Sequence, residues 1–217
     1  MKANIFDTKA IVIASGQSLY DESVLDELKK HNLVILSTDR TLKYVLEKGI
    51  IPSYVCIQEN LIESNGHDLL PDFFYHGIVK SYADKMTLFY SQLLKYERLK
   101  ILEEIGFKAI PFQRLGKGDG KGEIIDTCGN CGMALVQIAR KLLKIDKIAV
   151  IGLDLDHSTS WKPYENTNIT NAMLNNTKTM IASDFFDYGV YTYNLTKMGN
   201  FHGKGIKETS LNTFMTE

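Results

Sequence analysis

The chain has 217 residues, 44% of them hydrophobic, and carries 25 basic against 26 acidic side chains. That length supports one domain with a full core and no disulfide or metal staple. The net charge of -1 excludes a general basic field for a nucleic-acid backbone or an anionic membrane surface. No apolar run reaches the roughly 18 residues of a membrane span, and Met1 to Thr8 lack a secretory pattern, so a soluble cytoplasmic protein is expected.

The first element is a short apolar strand, Ile11 to Ala14, running into the tight loop Ser15-Gly16-Gln17-Ser18. Glycine lets backbone approach a phosphate without a Cβ in the way, and the N–H groups opening the next helix attract anions. A helix follows from Asp21 to Lys30, with Val24, Leu25 and Leu28 on its inner face. Leu33 to Ser37 reads as a second strand, ending at Thr38 and Asp39. A helix from Arg40 to Lys48 stops at Gly49, and Pro52 leads into the strand Tyr54 to Ile57. Strands that are apolar throughout and alternate with helices imply a parallel sheet covered on both faces.

Between Gln58 and Tyr90 the pattern weakens, with a polar stretch at Asn65-Gly66-His67 and a short strand expected at Gly77 to Lys80. Tyr90 to Ile105 reads as a helix and Lys108 to Phe112 as a strand. Gly116 to Gly122 alternates four glycines with charges, so residues 115–127 are expected to form a mobile loop, with Lys117 or Lys121 able to meet a phosphate. Cys128 to Lys144 is the most regular helix pattern, and its start, Gly129-Asn130-Cys131-Gly132, is a second candidate anion site. Ile148 to Gly152 is a buried strand that ends in Leu153-Asp154-Leu155-Asp156-His157. A polar stretch with Trp161 and Tyr164, a helix from 172 to 186, a strand Val190 to Asn194 and an appendage over 195–217 complete the chain.

These elements predict a single α/β domain with a doubly wound, mostly parallel, Rossmann-like sheet of about six strands. Ligands of such folds bind beyond the carboxyl ends of the strands. The candidates that gather there are Ser15, Gly16, Gln17, Ser18, Thr38, Asp39, Gln58, Glu59, Gly129, Asn130 and Asp154 to His157. The first loop has one glycine where a dinucleotide fingerprint needs three, and no P-loop pattern occurs. Asp154 and Asp156 alternate to one face and suit a divalent cation beside a nucleotide phosphate, or Asp154 caps the turn that follows it. His157 and His202 stand in polar segments as candidate general bases. Cys128 and Cys131 form one C-x-x-C, half of a zinc site or a redox dithiol; small residues at a helix entrance are the simpler reading.

With these residues in place, the chain resembles the MptE-like Rossmann-fold family. That family holds archaeal 6-hydroxymethylpterin pyrophosphokinases and the central domain of motility-associated flagellin glycosyltransferases. Its G-P-S-L loop is similar to Gly16-Gln17-Ser18-Leu19, and its strand ending in an acid is similar to Leu36 to Asp39. Its glycine–isoleucine–x–proline–aspartate turn is similar to Gly49 to Ser53. A glycine-started helix followed by I-x-L-x-G-x-D is similar to Gly129 to Lys144 followed by Ile148 to Asp154. The late segment also resembles bacterial lipooligosaccharide sialyltransferases, which use a CMP-activated sugar. Where the pyrophosphokinases carry T-D-L-D-G for metal and ATP, this chain has Cys56-Ile57-Gln58-Glu59-Asn60, with one carboxylate.

The resemblance implies a nucleotide-dependent transferase, glycosyltransferase-like, with a nucleotide-activated sugar of the CMP-nonulosonic acid type as donor. It implies Gly16, Ser18 and Gly129 at the phosphates, Asp154 at the ribose or sugar, and His157 or His202 deprotonating a small-molecule or glycan acceptor. A Mg2+-dependent pyrophosphokinase acting on a pterin-like acceptor with ATP is the alternative, with Asp154 and Asp156 as metal ligands; no other cofactor is implied. A nucleotide-binding module without catalysis is the third reading, and a homo-oligomer is compatible with all three.

Overall fold

The computed structural model describes residues 8–20, 22–58, 72–116, 122–155, 179, 192–196, 199, 201–203 and 205–217. Nine strands are described: β1 (Lys9–Ile13), β2 (Val34–Thr38), β3 (Tyr54–Ile57), β4 (Thr87–Ser91), β5 (Lys108–Arg114), β6 (Ile124–Ile125), β7 (Lys147–Ile151), β8 (Thr192–Asn194) and β9 (Ile206–Glu208). They form one sheet in the order β6-β5-β4-β3-β2-β1-β7-β8-β9. Every pairing in it is parallel. The α/β, doubly wound, Rossmann-like class therefore stands, with nine strands in place of about six. The strand order reverses between β1 and β7, and it is there that a sheet of this kind opens a crevice at its carboxyl edge.

The described helices are α1 (Glu22–Leu28), α2 (Asp39–Glu47), α3 (Gly77–Tyr82), α4 (Tyr96–Ile105), α5 (Cys131–Lys141) and α6 (Leu211–Thr216). Alternation along β1 sends Ala10, Val12 and Ala14 into the core shared with α5, and Ile11 and Ile13 into the core shared with α1 and α6. A third cluster joins Val55, Ile57 and Leu88 of the sheet to α2, α3 and α4. The sheet is thus covered on both faces, which explains why its central strands are apolar without alternation. Ala10 and Ala14 are small, and that lets α5 lie close to β1. The chain spans from α1 to α5 bury their apolar faces at about 1.5–3 kcal/mol for each large aliphatic side chain.

Several expectations shift in this frame. Gly77 to Lys80 is helix α3 rather than a strand, because Ile78 and Tyr82, and Val79 and Ala83, recur at helical spacing on the surface of one core. The strand starts ten residues later, in β4, so α4 begins at Tyr96 and not at Tyr90. Within the expected loop 115–127, Ile124 and Ile125 pair with Gln113 and Arg114 as β6. Helix α5 starts at Cys131 because Cys128 and Gly129, with φ of 47° and 82°, form a left-handed turn ahead of it. Residues 117–121, 156–178 and 180–191 lie outside the described residues, and with them the expected helix over 172–186.

Candidate active site at the β1 and β7 switch point

The loop after β1 is tied to the loop after β7. The Gly16 N–H donates to the Gly152 carbonyl at 2.6 Å, and the Ala14 N–H donates to the Ile151 carbonyl at 2.8 Å. The Ser18 N–H donates to Oδ2 of Asp154 at 2.7 Å. The Ser18 hydroxyl donates to Oδ1 of the same carboxylate and accepts from the Gly152 N–H at 3.0 Å. One serine therefore joins a carboxylate and a backbone amide across the switch point.

Two glycines make this approach possible. A Cβ on Gly16 would stand 2.6 Å from both Cγ and Oδ2 of Asp154 and from the Gly152 carbonyl oxygen. Gly152 has φ of +74°, and a Cβ there would overlap the Ala14 carbonyl oxygen. On the far side, Gly199 lies so close to the Asp154 backbone that a Cβ would overlap its carbonyl. Asp154 is 2% exposed, enclosed by both loops.

Helix α5 completes the crevice. Asn130 caps it, its side-chain oxygen accepting from the Met133 N–H at 2.8 Å. Gly132 in its first turn sits over the switch point, with its Cβ position 3.2 Å from the Ala14 Cβ and 2.7 Å from Cδ1 of Leu153. The first N–H groups of a helix have no partner within it, and those of Cys131 and Gly132 have no acceptor among the described residues. The positive end of the α5 dipole thus points into the crevice from above β1.

On the other side of the crevice stand the ends of β2 and β3. The hydroxyls of Ser37 and Thr38 meet Oγ1 of Thr41 at 2.8 and 3.0 Å. Thr41 also faces the Ile13 carbonyl at 3.4 Å. Asp39, 6% exposed, opens α2 and accepts from the Arg40 N–H at 2.9 Å. The Cys131 thiol is held well above its ordinary range, first by the neighbouring Cys56 thiol, then by burial and by the Asp39 carboxylate. It is a protonated thiol facing β3. Cys128 instead turns to Asp126, 3.9 Å away.

The sequence candidates therefore separate into groups. Ser15, Gly16, Gln17, Ser18, Gly129, Asn130 and Asp154 come together at the switch point, with Thr38 and Asp39 one strand away. The loop was expected to cradle a phosphate with free N–H groups, but the N–H groups of Gly16, Ser18 and Leu19 already have protein acceptors. Among the described residues, the N–H groups at the switch point without a protein acceptor are those of Cys131 and Gly132 in α5. Asp154, expected at the sugar or a cation, has both oxygens engaged by Ser18. Among the described residues no three His, Cys, Asp or Glu side chains gather at one point. Glu59, Asp156 and His157 lie outside the described residues. His202 is exposed, three residues past Gly199.

Gly152, Gly199 and Thr41 belong to this architecture without having been singled out. The first was legible as the glycine of Ile151-Gly152-Leu153-Asp154, where a strand ends two residues before a buried acid. Thr41 carries only the weak signal of a hydroxyl one turn past Thr38.

One solved structure shares this fold. A MAf glycosyltransferase from Magnetospirillum magneticum AMB-1 superposes with a TM-score of 0.64 at 16% identity, over 94% of this chain. This chain spans 33% of that protein's length. A protein from Lactobacillus plantarum aligns at 13% identity and a TM-score of 0.38, over 88% of this chain and 62% of the other. Comparison with curated proteins finds no match. No helix among the described residues is long and apolar enough to cross a membrane. The family described as 6-hydroxymethylpterin diphosphokinase MptE-like matches residues 1–160, and the chain belongs to that MptE-like family.

Proposed function

We propose that the protein is a nucleotide-dependent transferase of the glycosyltransferase type, whose donor is a sugar activated as a CMP-nonulosonic acid or a similar nucleotide sugar. The observation that carries this reading is the free first turn of α5, set over the β1 and β7 switch point against Ala14 and Leu153. A phosphate there meets the amides of Cys131 and Gly132 and the helix dipole. Ser15, Gly16 and Gln17 form the rim opposite, and Asp39, at the end of the neighbouring strand β2, is the acceptor this reading gives a ribose hydroxyl. The glycosyltransferase named among the similar structures supports the choice of transferred group.

In such a transfer the acceptor hydroxyl attacks the anomeric carbon, the bond to the donor phosphate breaks, and its electron pair stays on the phosphate oxygen. The hydroxyl proton goes to an imidazole, His202 or His157 in this proposal. Charge grows on the phosphate, so preorganised amides at α5 stabilise the transition state more than the ground state. Asp154 acts here as a positioning residue: through Ser18 it fixes the loop that bounds the donor.

The family description favours a second reading, a diphosphokinase transferring pyrophosphate from ATP. Thermal shift with CMP, CDP, UDP, ATP and GTP, each with and without Mg2+, separates the two, because a ligand of the native state raises its stability. Stabilisation by a pyrimidine nucleotide without Mg2+ supports the first. Stabilisation confined to ATP with Mg2+ overturns it in favour of the second, and no shift with any nucleotide overturns both.

A further inference from the structure

Gln58 follows β3 directly at the carboxyl edge of the sheet and is 2% exposed. Neither Nε2 nor Oε1 of its carboxamide has a hydrogen-bond partner among the described residues. A buried amide without partners costs stability wherever it sits. Protein interiors rarely keep one without a use for it.

Its position gives the use. Along β3, Val55 and Ile57 enter the core shared with α2 to α4, while Cys56 enters the core shared with α5. The Cys56 thiol meets Cys131 in the first turn of that helix. The same alternation, carried one residue beyond Ile57, turns Gln58 to the α5 side, one step nearer the edge than Cys56. It therefore points toward the entrance that the α5 amides share. Neighbouring strands lie about 4.8 Å apart, so β3 stands about 10 Å from β1. A phosphate under α5 at β1, a ribose at the end of β2 beside Asp39, and a base at the end of β3 follow one line across the sheet.

A primary carboxamide presents a donor and an acceptor side by side. That pair matches the adjacent donor and acceptor on the edge of a nucleobase, as when glutamine grips adenine in duplex DNA. It does not match a phosphate, which only accepts, or an alkyl chain. We infer that Gln58 is the base-reading residue of this site, which makes the carrier of the transferred group a nucleoside phosphate and not a lipid phosphate. The inference rests on the crevice proposed above as the donor site.

The test compares wild type with Gln58→Met by calorimetric titration of CMP, UMP, AMP, GMP and ribose 5-phosphate, with the melting temperature of each free protein. The expected result has three parts. The preferred nucleotide binds wild type more tightly than ribose 5-phosphate does. The variant loses about 10- to 100-fold in affinity for that nucleotide and none for ribose 5-phosphate. Its free melting temperature is equal or higher, because an orphaned amide has been replaced by an isosteric apolar chain. Unchanged nucleotide affinity overturns the inference. So does a variant that melts earlier or fails to fold, since the amide would then have a structural partner. Ribose 5-phosphate binding wild type as tightly as every nucleotide overturns the base reading alone and leaves the transferase standing; no binding of any of the five overturns both.

Discussion

Removing the Ser18 hydroxyl tests whether the link between the two loops carries the site. Ser18→Ala deletes a hydrogen bond to the Asp154 carboxylate and leaves the Gly152 N–H without its acceptor. A hydrogen bond to a charged group contributes about 1.5–3 kcal/mol, and a stranded buried donor costs about 1–3 kcal/mol. Because Ser18 is only partly buried, the lower half of each range applies, and the sum is about 3 kcal/mol. In a protein of 217 residues that lowers the melting temperature by about 6–12 °C.

Asp154→Ala strands two donors, the Ser18 N–H and hydroxyl, and should cost at least as much. Asp154→Asn is milder, at about 1 kcal/mol. Its oxygen can still accept from the Ser18 N–H, while its NH2 donates to a hydroxyl turned the other way. Urea unfolding of wild type, Ser18→Ala, Asp154→Ala and the double variant closes a cycle, with an expected coupling of about 1.5–2 kcal/mol. A coupling below about 0.5 kcal/mol would show that the two side chains stabilise the fold independently, and the argument for a pinned loop would fail.

The glycines provide a paired test. Gly152→Ala forces a positive φ on a residue with a Cβ that also overlaps the Ala14 carbonyl, so a loss above about 4 kcal/mol or no soluble protein is expected. Gly132→Ala meets the end of the Leu153 side chain, the Ala14 methyl and, at ordinary contact distance, the Asn130 side-chain oxygen, and helix propensity offsets the crowding, for a net change within about 1 kcal/mol. Similar losses from both, measured by denaturation, would contradict the packing described. Alkaline stability reports on Cys131, whose folded pKa is raised by Cys56 first and burial next. Its contribution is complete below the unfolded value near 9 and is lost as pH rises from there toward the folded value, because the unfolded chain then holds fewer protons. Cys131→Ala should flatten the fall in melting temperature above pH about 9; an identical pH profile in the variant would sink that reasoning.

The central strands were legible because burial on both faces writes itself as unbroken apolar runs. β3 appears with the boundaries its sequence suggests, and β1, β2, β5 and β7 within two residues. β4 was hidden by its neighbours. Ile78 and Val79 imitate a strand between Gly77 and Lys80, while the β4 sequence, Thr87 to Ser91, shows no strict alternation. Lys95 offers no side-chain cap to mark where α4 begins. β6 has two residues and exists only through its pairing with β5, which no local pattern records.

In the site, Ser18 and Asp154 could each be picked out, but not their mutual bond, because 136 positions separate them. The same limit hid the loss of the free N–H groups of Gly16 and Ser18, whose acceptors lie on Gly152 and Asp154. Gln58 was visible as a strand-end residue. That its amide is orphaned is a property of the packed interior alone.

The separation between Ser18 and Asp154 also says when the site comes into being. β1 is among the first segments made, yet one of its two neighbours, β7, follows only at Lys147. Until then one flank of the central strand has no partner, and the loop that follows β1 has nothing to hold it. Closing so long a segment is entropically costly and slow. Assembly of the crevice and completion of the sheet are thus one kinetic event, so a nascent chain that stops short of Asp154 is expected to have helices and strands but no ligand affinity.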